Sequence, residues 1–308
     1  MKKLFIGLLL YSFSNFVFSD EYLTFFLAGQ SNMVGYGYVN ELPAELRQEQ
    51  SVMIFHGNGT FDNQPDGGTG LWSKLKPGHG TGFKSDGKTN HYANRFGAEL
   101  SFASTLTKHF PDKKIAIVKY AVGGTGLHLN TGYGNWSPDF REGDGKNQYD
   151  FALNTIERAF SSTDIDGDGE IDTLIPAGII WMQGEADAHQ SEASANAYFN
   201  NLTRLMELFR AALRKDDIPI VIGKITNSGL SDDNIMPYIK RVQLAQQQFV
   251  EHDICAGYMT KTEGYPYSKN DPWHYLSDGF VQMGENFANA FVNLESQCKD
   301  TNVESGKS

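Results

Sequence analysis

The chain has 308 residues, of which 40% are hydrophobic, 13% aromatic and 20% charged. These proportions are typical of a globular protein with one large core, or at most two small domains. The formal net charge of −11 argues against nucleic acids and anionic membranes as partners. We therefore expect a neutral or lightly charged substrate.

The chain begins with two lysines and an apolar run, MKKLFIGLLLYSFSNFVFSD. This pattern, with small or apolar residues before the predicted cleavage point, is typical of a bacterial signal peptide. We expect residues 1–19 to be removed and the mature protein to be secreted or periplasmic. The alternative is an uncleaved membrane anchor, but the run is short and contains two serines and an asparagine. No other segment is apolar enough to cross a membrane.

The rest of the chain alternates between short apolar runs and helical patterns. The predicted strands are Tyr22–Ala28, Val52–His56, Ile115–Ala121, Ala177–Gln183, Ile218–Gly223 and Ile254–Met259. The predicted helices are Arg95–His109, Asp150–Ser161, Glu192–Leu213, Asp233–His252 and Phe280–Gln297. Runs such as IPIVIGKI are apolar throughout, as in strands that are buried on both faces of a parallel sheet. We predict a single three-layer α/β domain over residues 20–308.

Two connections are unusually long, residues 57–94 and 123–149, and both are rich in glycine. Each leaves the carboxyl end of a predicted strand, where open α/β sheets bind their ligands. We expect both loops to border a functional site, the alternative being plain surface insertions.

Ser31 follows the first predicted strand directly, in the run FFLAGQSNMVG. Serine is a favoured helix N-cap, and it becomes a nucleophile only when a base takes its proton. The Gly-x-Ser-x-Gly elbow of α/β hydrolases is incomplete here, because Met33 replaces the second glycine.

Three later motifs supply the groups that a nucleophilic serine would need. Asp271 and His274 in KNDPWHYLSDGF have the spacing that lets a carboxylate hold one imidazole nitrogen while the other accepts a proton. Gln183 in WMQGEADAH ends a predicted strand and carries an amide that could donate to an oxyanion. The glycines of YAVGGTG allow a backbone N–H to approach a site closely.

Together, GQSNMVG, VGGTGL, WMQGEAD and DPWH resemble the motifs of the SGNH-hydrolase superfamily. More narrowly, they resemble sialate O-acetylesterase-type domains and carbohydrate esterase family 6, which includes acetylxylan esterases. The resemblance covers about residues 22–292 and implies a flavodoxin-like fold. It also implies a serine esterase that removes O-acetyl groups from sugars and needs no cofactor for catalysis.

By this resemblance, Ser31 is the nucleophile, His274 the base and Asp271 its orienting partner. The oxyanion hole is formed by the backbone N–H of Ser31, that of Gly123 or Gly124, and the side chain of Gln183. Two alternatives stay open: a related lipase or thioesterase acting on other acyl esters, and a carbohydrate-binding module without catalysis.

The expected partner is an acetylated oligo- or polysaccharide. Aromatic side chains offer rigid faces on which sugar rings can stack, and polar groups near Ser31 can bind hydroxyls. The expected substrate contacts are Asn32, Glu185, Trp72, Trp136 and Trp273, with Tyr133 as a further candidate. Glu185 and Asp187 could instead orient loops or cap the following helix, and the tryptophans could be anchors of the loop cores.

The run DIDGDGEID matches the first nine positions of an EF-hand-type calcium loop, although position twelve is Ile175 rather than glutamate. We expect a structural calcium ion, with a solvated acidic turn as the alternative. The proposed ligands are Asp164, Asp166, Asp168, Glu170 and Asp172.

The chain has two cysteines, Cys255 and Cys298, and an exported protein with two cysteines can form one disulfide. We expect this disulfide to attach the last helix to a late strand. The alternative is a pair of buried thiols.

Overall fold

Strands and helices alternate along the chain in this computed structural model, which describes residues 19–230 and 235–305, with side chains up to residue 298. The predicted signal peptide, apart from its last residue, lies outside the described residues. The strands are β1 (Glu21–Gly29), β2 (Gly37–Tyr38), β3 (Met53–His56), β4 (Trp72–Lys74), β5 (Lys84–Ser85), β6 (Asn90–His91), β7 (Arg95–Phe96), β8 (Lys114–Ala121), β9 (Thr173–Met182), β10 (Ile220–Gly223), β11 (Ala256–Met259), β12 (Tyr267–Ser268) and β13 (Asp271–Tyr275). The α-helices are α1 (Ser31–Val34), α2 (Glu99–His109), α3 (Gln148–Ser161), α4 (Glu185–Gln190), α5 (Glu192–Ala212), α6 (Ile239–His252) and α7 (Ser277–Ser305).

Within the described part of the chain, seven strands form one sheet in the order β11-β10-β9-β1-β8-β3-β4. β1 lies at its centre and pairs in parallel with β8 and β9. β10, β11 and β3 continue the parallel pairing, whereas the edge strand β4 runs antiparallel to β3. The predicted fold class, an α/β fold with a mainly parallel central sheet, is confirmed.

Helices cover both faces of this sheet, and β1 shows why its sequence is apolar throughout. Phe25 packs edge-on against Phe102 of α2 and Phe291 of α7. Its neighbour Phe26 points to the opposite face and packs against Phe209 of α5. Successive side chains of a strand alternate between the two faces, so a central strand in a three-layer fold buries both.

Some boundaries differ from the sequence prediction. Residues 72–74 form the edge strand β4 inside the long connection that was predicted to be a loop, because they pair with β3. Residues 271–275 form β13, paired with β12, rather than a loop turn. Such short pairings depend on partners elsewhere in the chain and leave little periodicity in the sequence. The predicted start of α6 falls partly outside the described residues.

Cys255 and Cys298 form a disulfide with their Cα atoms 5.1 Å apart, which ties α7 to the residue that precedes β11. No helix in the described ranges has both the length and the apolar character of a membrane span.

Candidate active site

A cavity of about 590 Å³ opens where the carboxyl ends of β1 and β8 meet α4 and β13. Both Ser31 and His274 border this cavity, although they are far apart in sequence. Its lining consists of Gln30, Ser31, Tyr36, Phe61, Val122, Gly123, Gly124, Gly132, Tyr133, Ala186, His189, Gln190, Trp273 and His274.

Ser31 is the first residue of α1, two positions after the end of β1. The N-cap of this short helix is Gln30, so Ser31 is not the helix cap that the alternative interpretation predicted. The backbone N–H of Gln30 donates to the carbonyl of Met182 at 2.9 Å, which fixes this turn against the end of β9. The Ser31 hydroxyl forms no hydrogen bond with another described residue and faces the cavity.

Asp271 holds His274 in a fixed orientation. Its Oδ2 lies 2.7 Å from Nδ1 of the imidazole, and its Oδ1 accepts hydrogen bonds from the backbone N–H groups of Trp273 and His274. The ring of Tyr36 stacks on the imidazole, with centroids 3.7 Å apart and planes 4° from parallel. With Nδ1 engaged by a carboxylate, Nε2 is the nitrogen that can accept a proton.

The two candidate glycines face different neighbours. A Cβ atom added to Gly123 would lie 3.3 Å from the Cβ of Ser31, so this glycine passes directly against the serine. Gly124 has a φ of +70°, and a Cβ there would lie 2.6 Å from the Tyr133 ring. The backbone of Gly123 is therefore the one that borders Ser31.

Gln183 is not at the cavity, which corrects the expectation that its amide donates to an oxyanion. Its side chain is fully buried, and Nε2 donates to the Thr125 carbonyl at 2.9 Å and to Asp187 at 2.8 Å. Its Oε1 accepts a hydrogen bond from the Tyr198 hydroxyl. Both amide hydrogens are used inside the protein, so Gln183 has no donor left for a substrate.

Asn32 and Glu185 are also buried outside the cavity lining, so the expectation that they contact substrate is wrong in this structure. The Asn32 amide donates to Glu185 at 2.8 Å and to the Trp273 carbonyl at 3.1 Å. Burial raises the pKa of Glu185. These residues join α1, α4 and β13, which matches the alternative in which Glu185 orients neighbouring segments.

Asp187 holds the glycine-rich loop in place. Its carboxylate accepts hydrogen bonds from the backbone N–H groups of Leu127 and His128, at 3.0 to 3.2 Å. Burial raises the pKa of this carboxyl to about 6, although the hydrogen bonds act in the opposite direction.

Two of the three expected tryptophan contacts are also corrected. Trp136 is 1% exposed and packs against Tyr120 and Trp181 in the core. Trp72 lies in the edge strand β4 beside a different cavity of about 750 Å³, which shares no lining residue with the cavity at Ser31. Trp273 does line the cavity at Ser31 and contacts the His189 ring edge-on.

Two aromatic side chains at the cavity are far more exposed than the tryptophans. Phe61 is 69% exposed and Tyr133 is 81% exposed, and both belong to the long loops that were predicted to border a site. Phe61, Tyr36 and Gln30 were missed as site residues. In the sequence, Gln30 is indicated only by its position next to Ser31, and Phe61 only by its place in a long loop. Tyr36 has no comparable signal.

The acidic loop lies at the amino end of β9, roughly 30 Å along the strand from its carboxyl end. Carboxylate oxygens of Asp164, Asp166 and Asp172 lie within 4.8 Å of one another, and so do those of Asp20, Asp166 and Asp168. Glu170 belongs to neither group. The loop is therefore remote from Ser31, and its aspartates are close enough to share one cation.

Comparisons with known proteins agree with this architecture. Residues 21–293 match the family described as carbohydrate esterase, sialic acid-specific acetylesterase. No curated protein matches the chain in sequence.

Three solved structures resemble the fold. A protein from Arabidopsis thaliana is 19% identical with a TM-score of 0.60, over 89% of this chain and 98% of its own. NanS is 17% identical with a TM-score of 0.58, over 89% and 98% of the two chains. A carbohydrate acetylesterase from Xanthomonas citri is 14% identical with a TM-score of 0.59, and the match covers 89% of this chain and 56% of that one.

At these identities the three structures support the fold alone, whereas the family match spans most of the chain. The family predicted from the sequence motifs is thus confirmed: this chain belongs to the carbohydrate esterases described as sialic acid-specific acetylesterases, which makes it a carboxylic ester hydrolase that acts on acetyl groups of carbohydrates.

Proposed function

We propose that this protein is an exported esterase that removes O-acetyl groups from sugars with Ser31 as nucleophile, His274 as base and Asp271 as the partner of His274. The observation that carries the proposal is that Ser31 and an Asp271-bound His274 border the same cavity. A serine at the end of a central strand and an imidazole with one nitrogen held by a carboxylate are the parts that acyl transfer requires.

The proposed reaction has two halves. His274 Nε2 takes the Ser31 proton as Oγ attacks the acetyl carbonyl, and the backbone N–H groups of Ser31 and Gly123 donate to the oxygen that becomes negative. His274 then protonates the sugar oxygen, which leaves as an alcohol. In the second half, water attacks the acetyl-serine, and acetate is released.

The substrate side of the cavity suits a sugar. Phe61, Tyr133 and Trp273 offer aromatic faces or edges at its border, and Gln190 adds an amide. Aromatic faces stack against the C–H faces of sugar rings, while amides bind hydroxyls. We propose that these groups hold an acetylated oligo- or polysaccharide, either of the acetylxylan type or with O-acetylated sialic acid.

The decisive experiment compares the wild type with Ser31→Ala on p-nitrophenyl acetate. We expect kcat/KM to fall at least about a thousandfold in the variant while its melting temperature stays within a few degrees. Activity that survives this substitution would refute the role of Ser31. Longer p-nitrophenyl esters test for a lipase, and a wild type that binds sugars without hydrolysis would support the binding-module alternative.

Acetate release from acetylated xylan and from O-acetylated sialic acid, measured side by side, identifies the sugar. The proposed export is tested separately by sequencing the amino terminus of the protein recovered outside the cytoplasm, which should begin at Asp20.

A further inference from the structure

Gln30 is buried beside the nucleophile, and its amide orientation is determined by its neighbours. The side chain is only 3% exposed, and its Oε1 accepts hydrogen bonds from the backbone N–H groups of Gly184 and Ala186, each at 3.3 Å. Backbone N–H groups can only donate, so the end of the amide that meets them must be the oxygen. The opposite end is therefore the NH₂ group.

This NH₂ group is unpaired within the part of the chain that the structure describes. Gln30 Nε2 forms no hydrogen bond with a described residue. Unlike Asn32 Oδ1 and Glu185 Oε2, which are enclosed without a partner, this nitrogen is not fully enclosed by the protein. Gln30 lines the cavity at Ser31. A residue that lines the cavity at Ser31 thus carries two N–H donors that no described residue accepts.

Gln183 differs from Gln30 in this respect. The two glutamines follow the neighbouring strands β1 and β9, but the Gln183 amide uses both of its hydrogens on Thr125 and Asp187. Gln30 is held by its oxygen and keeps its nitrogen available. An amide that is fixed at one end and open at the other can donate to a developing charge without reorganising.

We propose that Gln30 is the side-chain donor of the oxyanion hole, an inference that rests on the proposed esterase function. When Ser31 Oγ bonds to the acetyl carbon, the carbonyl π electrons move to its oxygen and the hydroxyl proton moves to His274 Nε2. Gln30 Nε2–H donates to that oxygen in the tetrahedral intermediate. When the bond to the sugar oxygen breaks, the carbonyl reforms and the proton on His274 passes to the leaving oxygen.

The test uses Gln30→Met, which keeps the length of the side chain and removes both the donor and the acceptor, together with Gln30→Glu, which keeps an acceptor for Gly184 and Ala186. With p-nitrophenyl acetate we expect kcat to fall about a hundredfold or more in both variants, with KM changed by less than about threefold. The matched controls are Gln183→Met, for which we expect a lower melting temperature, and the exposed Gln248→Met, for which we expect wild-type values.

Inhibition by phenylboronic acid gives a readout that a purely structural role would not change. The boronate formed on Ser31 is tetrahedral and negatively charged, so its affinity should fall in the Gln30 variants by about the same factor as kcat/KM. A wild-type kcat in both Gln30 variants, or a rise in KM alone, would overturn the oxyanion role. So would a hundredfold loss of kcat in Gln183→Met at an unchanged melting temperature. A wild type without esterase activity would overturn the proposed function itself and this inference with it.

Discussion

The side-chain amide of Asn32 donates a hydrogen bond to the backbone carbonyl of Trp273 at 3.1 Å, across 241 residues of sequence. Asn32 follows the proposed nucleophile, and Trp273 precedes the proposed base. The same nitrogen also donates to Glu185 at 2.8 Å. One buried amide therefore sets the distance between the helix that carries Ser31 and the strand that carries His274.

We expect Asn32→Ala to lower both stability and activity. The substitution leaves the Trp273 carbonyl and the Glu185 carboxyl without their donor, which costs about 1–3 kcal/mol of unfolding free energy per unsatisfied buried group. It also frees β13 relative to α1, so kcat on p-nitrophenyl acetate should fall about tenfold or more. Urea unfolding and steady-state kinetics check the two effects.

Glu185→Gln is the matched control for this prediction. Glutamine keeps the size of Glu185 and an oxygen that can accept the hydrogen bond from the Asn32 amide. The variant should keep its kcat within about threefold. A kcat in Asn32→Ala equal to that of the wild type would contradict the positioning role of Asn32.

Tyr36 should act through the face of its ring rather than through its hydroxyl. It stacks on the imidazole of His274 and confines it to the plane in which Asp271 can hold Nδ1. We expect Tyr36→Phe to retain most of the activity and Tyr36→Ala to lose about tenfold or more in kcat. The pair of variants is compared on p-nitrophenyl acetate, and equal losses in both would show that the hydroxyl is what matters.

The stability of the protein should depend on pH through Asp187. Burial raises the pKa of this carboxyl to about 6, so between about pH 4 and 6 the folded state keeps a proton that the unfolded state releases. The contribution of this proton to the free energy of unfolding is fully present below pH 4. It is lost as the pH rises through 6, a change of about 3 kcal/mol. Unfolding free energies of the wild type and Asp187→Asn, measured at several pH values, isolate this effect. A difference between the two proteins that is constant with pH would rule it out.

Phe61 and Tyr133 should contribute to the binding of the polymeric substrate. Their rings are exposed at the border of the cavity, where an aromatic contact is worth about 0.5–1.5 kcal/mol. We expect Phe61→Ala and Tyr133→Ala each to raise KM for an acetylated oligosaccharide about three- to tenfold, and by less for p-nitrophenyl acetate. Leu244→Ala, which removes an exposed apolar side chain from α6, serves as the control. Unchanged KM values in both aromatic variants would place the sugar elsewhere.

Calcium should stabilise the acidic loop before β9. Two overlapping groups of aspartates bring their oxygens within 4.8 Å of one another, and carboxylate oxygens are the ligands that calcium prefers. At a calcium concentration a hundred times the Kd, binding would add about 2.7 kcal/mol to the unfolding free energy. We expect the melting temperature of chelator-treated protein to rise by several degrees on adding calcium. We expect no such rise in the variant with both Asp164→Asn and Asp168→Asn. A melting temperature that calcium leaves unchanged in the wild type would favour the solvated acidic turn.

The sequence by itself determined the α/β class, most of the central strands and the family. Alternating apolar runs predict strands buried on two faces, and motifs at strand ends predict a site at the carboxyl edge of the sheet. These features depend only on the local composition and on the order of residues along the chain, so they can be read without knowledge of the fold. The short strands β4 and β13 were missed, because each exists only through pairing with a partner elsewhere.

The tertiary structure decided which polar and aromatic side chains reach the cavity. Gln183 and Gln30 follow neighbouring strands, and both carry an amide. Thr125, Asp187 and Tyr198 occupy the hydrogen-bonding atoms of Gln183, whereas the nitrogen of Gln30 has no partner among the described residues. Trp136 is buried in the core, whereas Phe61 is exposed at the cavity. The direction of a side chain at a strand end depends on donors, acceptors and rings that distant segments bring to it, so it follows only from the packed fold.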